Sequence, residues 1–330
     1  MAPVPKCSIM YFTRLPDHSR ADFDEHLHFS RFKKQNMIFN ARSSQAGCDN
    51  HVGCLSFKSV TQGEEWYGID GRQIAVRPGQ FLILNDDQPY SCRIHRGEPA
   101  KVLSVFFKKE FARDVIADML SEETTSLEDP LNTRITQPLD FFQTLHPIDL
   151  ALRSHLSSFI SHLESAGYNS NAAVEYLIPL LRHCIRSQHA HLVRAAGVNA
   201  LKKSTRDELY RRLCIAKDQM HTSFSQPLDL QTLSRQSCLS IPQLVRHFRA
   251  AFHTTPHRYL VTLRLQHAAH LLTDTSLSIA TIMGQCGYED PSAFSRAFRS
   301  AHGLQPEAWR RASTSPARSL APRPSPDTTH

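Results

Sequence analysis

The clearest pattern of apolar and polar positions lies in the last third of the chain, where two segments repeat one arrangement. Residues 228–252 and 277–302 each read as a short helix, a tight turn and a longer helix. In each longer helix, apolar residues recur four positions apart and arginines lie between them. These apolar residues are Leu244, Phe248, Phe252, Phe294 and Phe298. The pattern predicts two helix-turn-helix units, each burying one face of its longer helix and exposing a basic one.

Both longer helices have strong start signals. Ser240 is a good N-cap with Pro242 in the first turn, and Asp290 is followed by Pro291 at the first helical position, where a missing N–H costs nothing. The residues left to face outward are Gln243, Arg246, His247, Arg249, Ser292, Ser295, Arg296 and Arg299. An exposed arginine is usually only a solvated charge. The corresponding positions of Arg246 and Arg296 instead favour contact with a nucleic-acid groove.

A long helix is predicted between the two units, over residues 256–273. Its packed side is expected to carry Tyr259, Leu260, Leu263, Leu265, Ala268, Ala269, Leu271 and Leu272. A rigid connector fixes the distance between the two reading helices. A spacing of about 34 Å would address two successive major grooves, over an asymmetric half-site of roughly 15 to 20 base pairs.

The first half of the chain changes from a strand pattern to a helix pattern. Short apolar or alternating runs are predicted as strands at 54–60, 66–69, 73–76, 81–84, 91–94 and 102–107. Asp70-Gly71 is a two-residue hairpin signal, and Pro78-Gly79 marks another turn. These runs indicate a small antiparallel barrel or sandwich. Helical spacing then predicts helices at 109–120, 148–165 and 171–191.

The predicted fold class is therefore α+β with two domains. The front domain is a β-barrel followed by helices, and the back domain is all-α. The predicted boundaries are 1–120 for the β domain, 121–194 for a helical extension, 195–208 for a linker, 209–311 for the paired units and 312–330 for a disordered tail. An apolar stripe in the helical extension is more often core packing, and a dimerisation surface is the alternative.

Charge divides along the same boundary. The net charge is +7, and residues 209–311 contain 12 Lys and Arg against 6 Asp and Glu, whereas residues 1–208 balance at 24 of each. A neutral front joined to a basic back is the asymmetry expected of a protein with one domain facing a polyanion. The eight cysteines form no CxxC pair, and neither a signal stretch nor an apolar run of about 20 residues is present. We expect a reduced, cytoplasmic setting without membrane contact.

The back domain resembles the DNA-binding domain of the AraC/XylS family of bacterial transcription regulators. The resemblance covers about 95 residues and depends on an ordered series of motifs. The series consists of Leu239-Ser240, Leu244, Arg246, Phe248, Pro256, Tyr259-Leu260, Arg264-Leu265, Ala268, Leu271-Leu272, Ser278-Ile279-Ala280, Ile282, Gly287-Tyr288, Asp290, Phe294 to Arg299, Gly303, Pro306 and Trp309 to Arg311.

The resemblance implies roles for the reading helices. Arg246 and Arg296 would enter successive major grooves, and Arg249 and Arg299 would touch phosphates, which position the protein without specifying sequence. The other residues expected at the DNA surface are Ser240, Pro242, Gln243, Val245, Pro291, Ser292, Ala293 and Ser295. Pro242, Val245 and Ala293 carry no hydrogen-bonding side chain, so base contacts there would be apolar, as with a thymine methyl.

Two positions depart from the family pattern. Cys238 and His253 stand where the family usually has glycine, one in the turn of the first unit and one after its longer helix. Both positions are expected to need a left-handed backbone, which costs a non-glycine residue about 1 kcal/mol or more. Gly284, inside the first helix of the second unit, is a further local weakness.

The front half resembles, more weakly, the cupin-like sensing domain of such regulators. Gly71-Arg72, Arg77 to Phe81 and Asp87 to Tyr90 match its turn rhythm. A small effector would occupy a cavity lined by Trp66, Phe81 and Tyr90, although large aromatic residues such as these more often belong to the plain core. His26 and His28 form an HxH pair outside the strand pattern with no spaced Glu, so no metal, cofactor or catalytic residue is predicted.

The sequence thus predicts a bacterial, nucleoid-associated transcription regulator and not an enzyme. Its expected partners are promoter or operator DNA, RNA polymerase, a small effector and a second copy of the chain, and activation is the expected direction from family habit. Two alternatives remain open. One is a cupin-type enzyme with an accessory DNA-binding domain, and the other is a constitutive DNA-binding protein whose barrel only dimerises.

Overall fold

The computed structural model describes residues 9–16, 18, 23–123, 140–165 and 169–314. Contacts divide the chain into two units, residues 1–218 and 219–330. This division falls inside a helix, ten residues later than the predicted start of the back domain at 209. Of the predicted disordered tail, residues 315–330 lie outside the described part, and residues 312–314 belong to the last helix.

The first unit contains strands of three to eight residues. Their bounds are β1 Ile9–Phe12, β2 Asn36–Ser43, β3 Ala46–Val52, β4 Ser56–Gln62, β5 Glu65–Ile69, β6 Arg72–Val76, β7 Gln80–Leu84, β8 Pro89–Ile94, β9 Ala100–Phe106 and β10 Leu145–Pro147. The six strands predicted from the sequence are β4 to β9, each within about two residues of its predicted bounds. The predicted hairpin turn is confirmed between β5 and β6, where φ is 49° at Asp70 and 75° at Gly71.

The predicted β-rich front domain is confirmed. Among the described residues its strands form two packed sheets, so of the two predicted alternatives the structure has the sandwich and not a closed barrel. One sheet has the order β1-β2-β9-β4-β7-β10, with β1 parallel to β2, and the other has the order β3-β8-β5-β6. The chain passes from one sheet to the other between β2 and β3, and each sheet keeps two edge strands, so neither closes on itself. Strand β10 lies in the predicted helical extension and pairs antiparallel with β7.

Alternation along the strands supplies two apolar layers. Between the two sheets, Val60, Leu82 and Val102 of the larger sheet pack with residues of the smaller sheet, such as Ile74 and Ile94. The opposite face of the larger sheet packs on helices and forms a second core. That core includes Phe57, Phe81, Ile83, Leu103, Val105, Phe111, Leu152, Phe159, Leu177 and Leu181.

The first unit contains five helices among its described residues, and α2, α3 and α4, which cover this face, correspond to the three helices predicted from the sequence. Helix α1 is Glu25–Lys34, α2 is Lys109–Glu123, α3 is Leu150–Glu164, α4 is Ser170–Ala196 and α5 is Lys203–Ser223. Asp149 caps α3 by accepting a hydrogen bond from the N–H of Leu152 at 2.7 Å. The predicted linker at 195–208 is shorter than expected, because α4 continues to Ala196 and α5 begins at Lys203. His26 and His28 fall in α1, and their side chains lie outside the described part.

The second unit is helical. Its helices are α6 Leu230–Ser237, α7 Ile241–Phe252, α8 Pro256–Asp274, α9 Ile279–Gln285, α10 Pro291–His302 and α11 Pro306–Thr314. Helix α8 confirms the predicted connector. Leu265, Ala268 and Leu272 of α8 form one buried cluster with Ile282 and Phe298 of the second helix pair.

The described residues contain no helix long and apolar enough to cross a membrane. Nor do they bring three or more His, Cys, Asp or Glu side chains into a group able to hold a metal ion.

Candidate nucleic-acid interface

The first helix-turn-helix unit consists of α6 and α7. Asp229 caps α6 by accepting a hydrogen bond from the N–H of Thr232 at 2.7 Å. Cys238 ends α6 in the left-handed conformation, with φ 51° and ψ 39°. The chain then turns through Leu239 into Ser240, the N-cap of α7. The predicted left-handed backbone at Cys238 is confirmed, so this short turn holds a strained non-glycine residue.

Helix α7 begins as predicted and buries one side. Gln243 folds back over the cap, where its Oε1 accepts hydrogen bonds from the backbone N–H of Ser240 at 3.1 Å and from the Ser240 hydroxyl at 3.0 Å. Leu244 and Phe248 are fully buried, whereas Phe252 is only half-buried. The helix is therefore fixed at its start by polar capping and along its length by its apolar side.

The opposite side of α7 is open. Pro242, Gln243, Arg246 and Arg249 are exposed, and Val245 is half-buried. The side chain of Arg246 has one close polar contact, from its Nη2 to the Nε2 of His247 at 3.2 Å. The exposed surface thus combines two cationic side chains with small or polar neighbours near the helix start, as expected for contact with phosphates and base edges.

His247 corrects the sequence prediction. It was expected to face outward, but only 3% of its surface is exposed, and burial together with the neighbouring Arg246 lowers its pKa. The prediction used only the four-residue repeat. A helix also brings positions three apart onto one face, so Leu244, His247, Phe248 and Ala251 form the buried side together.

The second helix-turn-helix unit repeats this construction with α9 and α10. Asp290 caps α10 by accepting hydrogen bonds from the N–H groups of Ser292 at 2.9 Å and Ala293 at 3.2 Å. Phe294 and Phe298 are fully buried. The turn before α10 contains Gly287 with φ 71°, and Gly303 with φ 77° ends the helix. The second helix-turn-helix unit therefore has glycine at both positions where the first one has Cys238 and His253.

The outward side of α10 matches that of α7. Pro291, Ser292, Arg296 and Arg299 are exposed, and Ala293 and Ser295 are half-buried. The guanidinium of Arg296 lies 4.0 Å from the Asp290 carboxylate, with about three quarters of its side chain exposed. A contact this long and this exposed contributes little, so Arg296 is available to a ligand. Arg246 and Arg296 occupy the same position, six residues after the N-caps Ser240 and Asp290.

Contacts of helix α8 hold the helical unit of residues 219–330 together. The Arg264 Nε donates to the carbonyl of Phe224 at 2.7 Å, and its Nη2 donates to the carbonyl of Gln226 at 2.9 Å. The same guanidinium lies 5.9 Å from the ring centroid of Tyr288. Arg264 therefore acts as a structural brace and is not free to contact DNA.

The predicted effector residues do not share one pocket. Phe81 is fully buried on the helix-facing side of its sheet, where it stacks on Phe57 at 5.1 Å and on His146 at 4.7 Å. Tyr90 is buried between the sheets, and Trp66 is half-buried on the outer side of β5. Because successive residues of a strand point to opposite faces, residues on different faces cannot line one cavity. The three side chains lie in three separate environments, so the expected common cavity is not formed.

Two polar groups surround Tyr90 between the sheets. The Lys58 ammonium donates to the Tyr90 hydroxyl at 3.3 Å and lies 3.5 Å from the ring centroid of Phe106. The hydroxyl of Tyr67 donates to the Glu65 carboxylate at 2.6 Å. Burial lowers the pKa of Lys58 to about 8 and raises that of Glu65.

Comparison with known protein families gives two matches along the chain. Residues 233–312 match the profile described as a helix-turn-helix domain, which covers both helix-turn-helix units almost completely. Residues 56–165 match the AraC-like ligand binding domain, which covers β4 to β10 and α2 to α3.

Two individual relatives match a limited part of the chain. The chain is 36% identical over 87 residues to the HTH-type transcriptional regulator GbdR of Pseudomonas aeruginosa, covering 26% of this chain and 24% of that protein. It is 34% identical over 110 residues to the HTH-type transcriptional activator RhaR of Salmonella schwarzengrund, covering 33% and 38%. The matched part thus spans well under half of either relative.

One relative matches across both units. An HTH-type transcriptional regulator of Haemophilus influenzae, described as uncharacterized, is 22% identical over 271 residues, which cover 77% of this chain and 85% of that protein. The similarity to this relative therefore extends over residues of both units of the chain.

Proposed function

This chain belongs to the AraC/XylS family of transcription regulators, and from that premise we propose that it binds a specific DNA sequence through α7 and α10. The observation that carries the proposal is the equivalence of Arg246 and Arg296. Each is exposed, and each lies six residues after the N-cap of a helix whose opposite side is fully buried. Two matched cationic side chains on two matched helices fit successive major grooves of one duplex.

The neighbouring side chains divide into two groups. Arg249 and Arg299 lie one turn further from the N-cap and would contact phosphates. Pro242, Gln243, Val245, Ser292 and Ala293 lie nearer the helix start and would approach base edges. Gln243 must release Ser240 before its amide can pair with a base, because its Oε1 is engaged in the cap.

The connector sets the scale of the site. Helix α8 contains 19 residues, which at about 1.5 Å per residue span roughly 28 Å. This length is comparable to one turn of duplex DNA, about 34 Å. Each chain would therefore read a long, asymmetric half-site, and a dimer formed through the first unit would read two of them.

The first unit would act as the sensor. An effector that binds one arrangement of the protein better than another shifts the balance between them, and this shift would alter DNA binding or contact with RNA polymerase. We propose that the protein works in the bacterial cytoplasm and activates transcription; the relative RhaR is named a transcriptional activator.

The test is binding of the purified full chain to the DNA flanking its own coding sequence, at several salt concentrations. The Arg246→Ala plus Arg296→Ala double variant is compared with Arg96→Ala plus Arg113→Ala, which removes the same charge from exposed positions of the first unit. We expect wild type and control to protect one segment and the double variant to retain only salt-sensitive, sequence-indifferent binding. Equal protection by all three proteins would refute the proposed reading helices.

A further inference from the structure

The first unit contains a small pocket that no sequence pattern indicated. It lies where β1, β2, α1 and the segment after β1 meet, with a volume of about 210 Å³. Because liquid water occupies about 30 Å³ per molecule, this volume corresponds to about seven waters. It is smaller than the usual 300 to 1,000 Å³ of a drug-sized site. All residues that line it precede residue 56, where the match to the ligand-binding family begins.

One wall of the pocket is aromatic. Phe12, Phe23 and Phe39 line it, and the rings of Phe12 and Phe39 stack with centroids 4.9 Å apart. Leu15 and Pro16 complete the apolar lining. These side chains form a surface suited to a flat ring or a short alkyl chain, which would lose its contact with water on binding.

The remaining lining residues are cationic. Arg14 is exposed and Arg31 is half-buried, and none of the described residues that line the pocket is acidic. Within the described part of the chain, neither guanidinium forms an ion pair. Guanidinium groups are planar donors that match a carboxylate in a bidentate geometry. Two of them beside an aromatic wall therefore select a ligand with one anionic end and one apolar end.

A third cation lies behind the aromatic wall. The ring centroids of Phe39 and Phe106 are 5.8 Å apart, and the Lys58 ammonium lies over the Phe106 ring, 3.5 Å from its centroid. Glu65, also buried between the sheets, offsets part of this charge. The two arginines still give the pocket a field that attracts anions, because the described lining residues include no carboxylate.

We propose that this pocket binds a small hydrophobic carboxylate. The carboxylate accepts hydrogen bonds from Arg14 and Arg31, and the aromatic or alkyl body lies against the three phenylalanines. The proposal rests on the proposed function, since it supplies the chemical class of the effector that the first unit senses. It also moves the effector site away from Trp66, Phe81 and Tyr90.

Calorimetric titration of the full chain tests the proposal with four probes. Benzoate and hexanoate have the predicted charge with an aromatic or an alkyl body. Benzyl alcohol keeps the ring without the charge, and inorganic phosphate keeps the charge without the apolar body. We expect saturable binding of benzoate, hexanoate or both with a Kd below about 1 mM, and at least tenfold weaker binding of benzyl alcohol and phosphate. Absence of carboxylate binding, or equal binding of all four, overturns the proposal.

Variants then locate the binding site. Arg14→Gln and Arg31→Gln are each expected to weaken carboxylate binding about tenfold, or about 1.4 kcal/mol, whereas Arg96→Gln, at an exposed turn of the same unit, is expected to have no effect. Arg31→Lys, which retains the charge but not the bidentate geometry, should give an intermediate affinity and guards against misfolding of the Gln variant. Unchanged binding in both Gln variants places the carboxylate elsewhere and overturns the proposal.

The same preparations separate this proposal from the proposed function. Sequence-specific DNA binding without carboxylate binding contradicts only the pocket. Carboxylate binding that survives in a chain whose Arg246 and Arg296 prove irrelevant to DNA binding contradicts only the reading helices.

Discussion

His253 and Gly303 occupy the same backbone position, the left-handed residue that ends the longer helix of each helix-turn-helix unit. Their φ angles are 56° and 77°. Each donates its N–H to the carbonyl of the arginine four residues earlier. His253 donates to Arg249 at 3.0 Å, and Gly303 donates to Arg299 at 2.8 Å. The geometry of the cap is thus shared, but only the first helix-turn-helix unit places a side chain there. The first helix-turn-helix unit therefore carries the conformational cost that the second one avoids.

Relief of this strain is expected to stabilise the protein. His253→Gly should raise the free energy of unfolding of the second unit by about 0.5 to 1 kcal/mol. This value is smaller than the full left-handed penalty, because glycine also gains entropy in the unfolded chain. Urea unfolding of the full chain measures the change. Cys238→Gly, at the other left-handed position of the same unit, should shift stability in the same direction, and a loss of stability in both variants would contradict this account.

Gly287 and Gly303, the two left-handed glycines of the second helix-turn-helix unit, offer a matched test of steric crowding. A Cβ on Gly287 would lie 2.9 Å from the carbonyl oxygen of Ser225 and 3.0 Å from Arg264 Nη2, whereas a Cβ on Gly303 would meet nothing within 4 Å. Both residues have positive φ. Gly303→Ala should therefore cost only the left-handed penalty of about 1 kcal/mol. Gly287→Ala should cost at least 1 kcal/mol more, since backbone must also move. Equal losses in urea unfolding would show that the contact at Gly287 is relieved without cost.

Buried histidines predict a loss of stability in mild acid. His191 lies between the Tyr210 hydroxyl at 2.7 Å from its Nδ1 and His146 Nδ1 at 3.2 Å from its Nε2. Burial lowers the pKa of both histidines in the folded chain. Below the unfolded pKa of about 6.5, the unfolded chain binds protons that the folded chain does not. The stability present above pH 6.5 is therefore lost as pH falls, by up to about 1.4 kcal/mol per pH unit for each histidine.

The measurement is urea unfolding of the full chain between pH 7 and pH 5.5, where most carboxylates do not titrate. His191→Gln should reduce the pH slope relative to wild type, although it also costs stability at pH 7. His183, His247 and His302 have pKa values lowered by burial as well, so the slope should fall without vanishing. An unchanged slope in the variant would mean that His191 is protonated equally in both states.

The helical second unit could be predicted almost completely from the sequence, because its signals are local. Caps at Ser240 and Asp290, prolines in the first turns and helical spacing of Leu244, Phe248, Phe294 and Phe298 act within a few residues. Cys238 and His253 stand where the family usually has glycine, and this departure predicted the left-handed backbone that the structure has at both positions. The burial of His247 was missed because only one of the two helical spacings was counted.

The first unit was less predictable, because its missed strands lack the signals used to find strands. β2 is buried over six consecutive residues and shows no alternation, β3 contains few β-branched residues, and β10 has only three residues. The pocket between β1, β2 and α1 depends on β1 and β2, neither of which was predicted. Its residues are distant from the turns that suggested an effector site, so Arg14 and Arg31 could not be chosen from the sequence.

The placement of Phe81 leads to a prediction that separates core from site. Phe81→Ala should cost about 3 to 5 kcal/mol of unfolding free energy, because the ring is fully buried against Phe57 and His146. Trp66→Ala should cost clearly less, since Trp66 is half-buried on the outer side of β5. Thermal unfolding of both variants compares them. A mild effect of Phe81→Ala would return this residue to consideration as part of a cavity.

Arg246 and Arg249 should affect DNA binding in different ways, although they are only three residues apart and equally charged. Arg246→Ala is expected to weaken binding to the protected operator segment by about 1 to 3 kcal/mol while changing binding to unrelated DNA far less, because a base contact is lost. Arg249→Ala should weaken both by similar factors and reduce the slope of log affinity against log salt by about one, because a phosphate contact is lost. Both variants remove one positive charge from the same helix, so each is the other's charge control. Fluorescence anisotropy with operator and scrambled duplexes at four salt concentrations gives both quantities. If the two variants lose the same affinity on both duplexes, α7 contributes charge without reading sequence. Recognition by the first helix-turn-helix unit must then come from other residues.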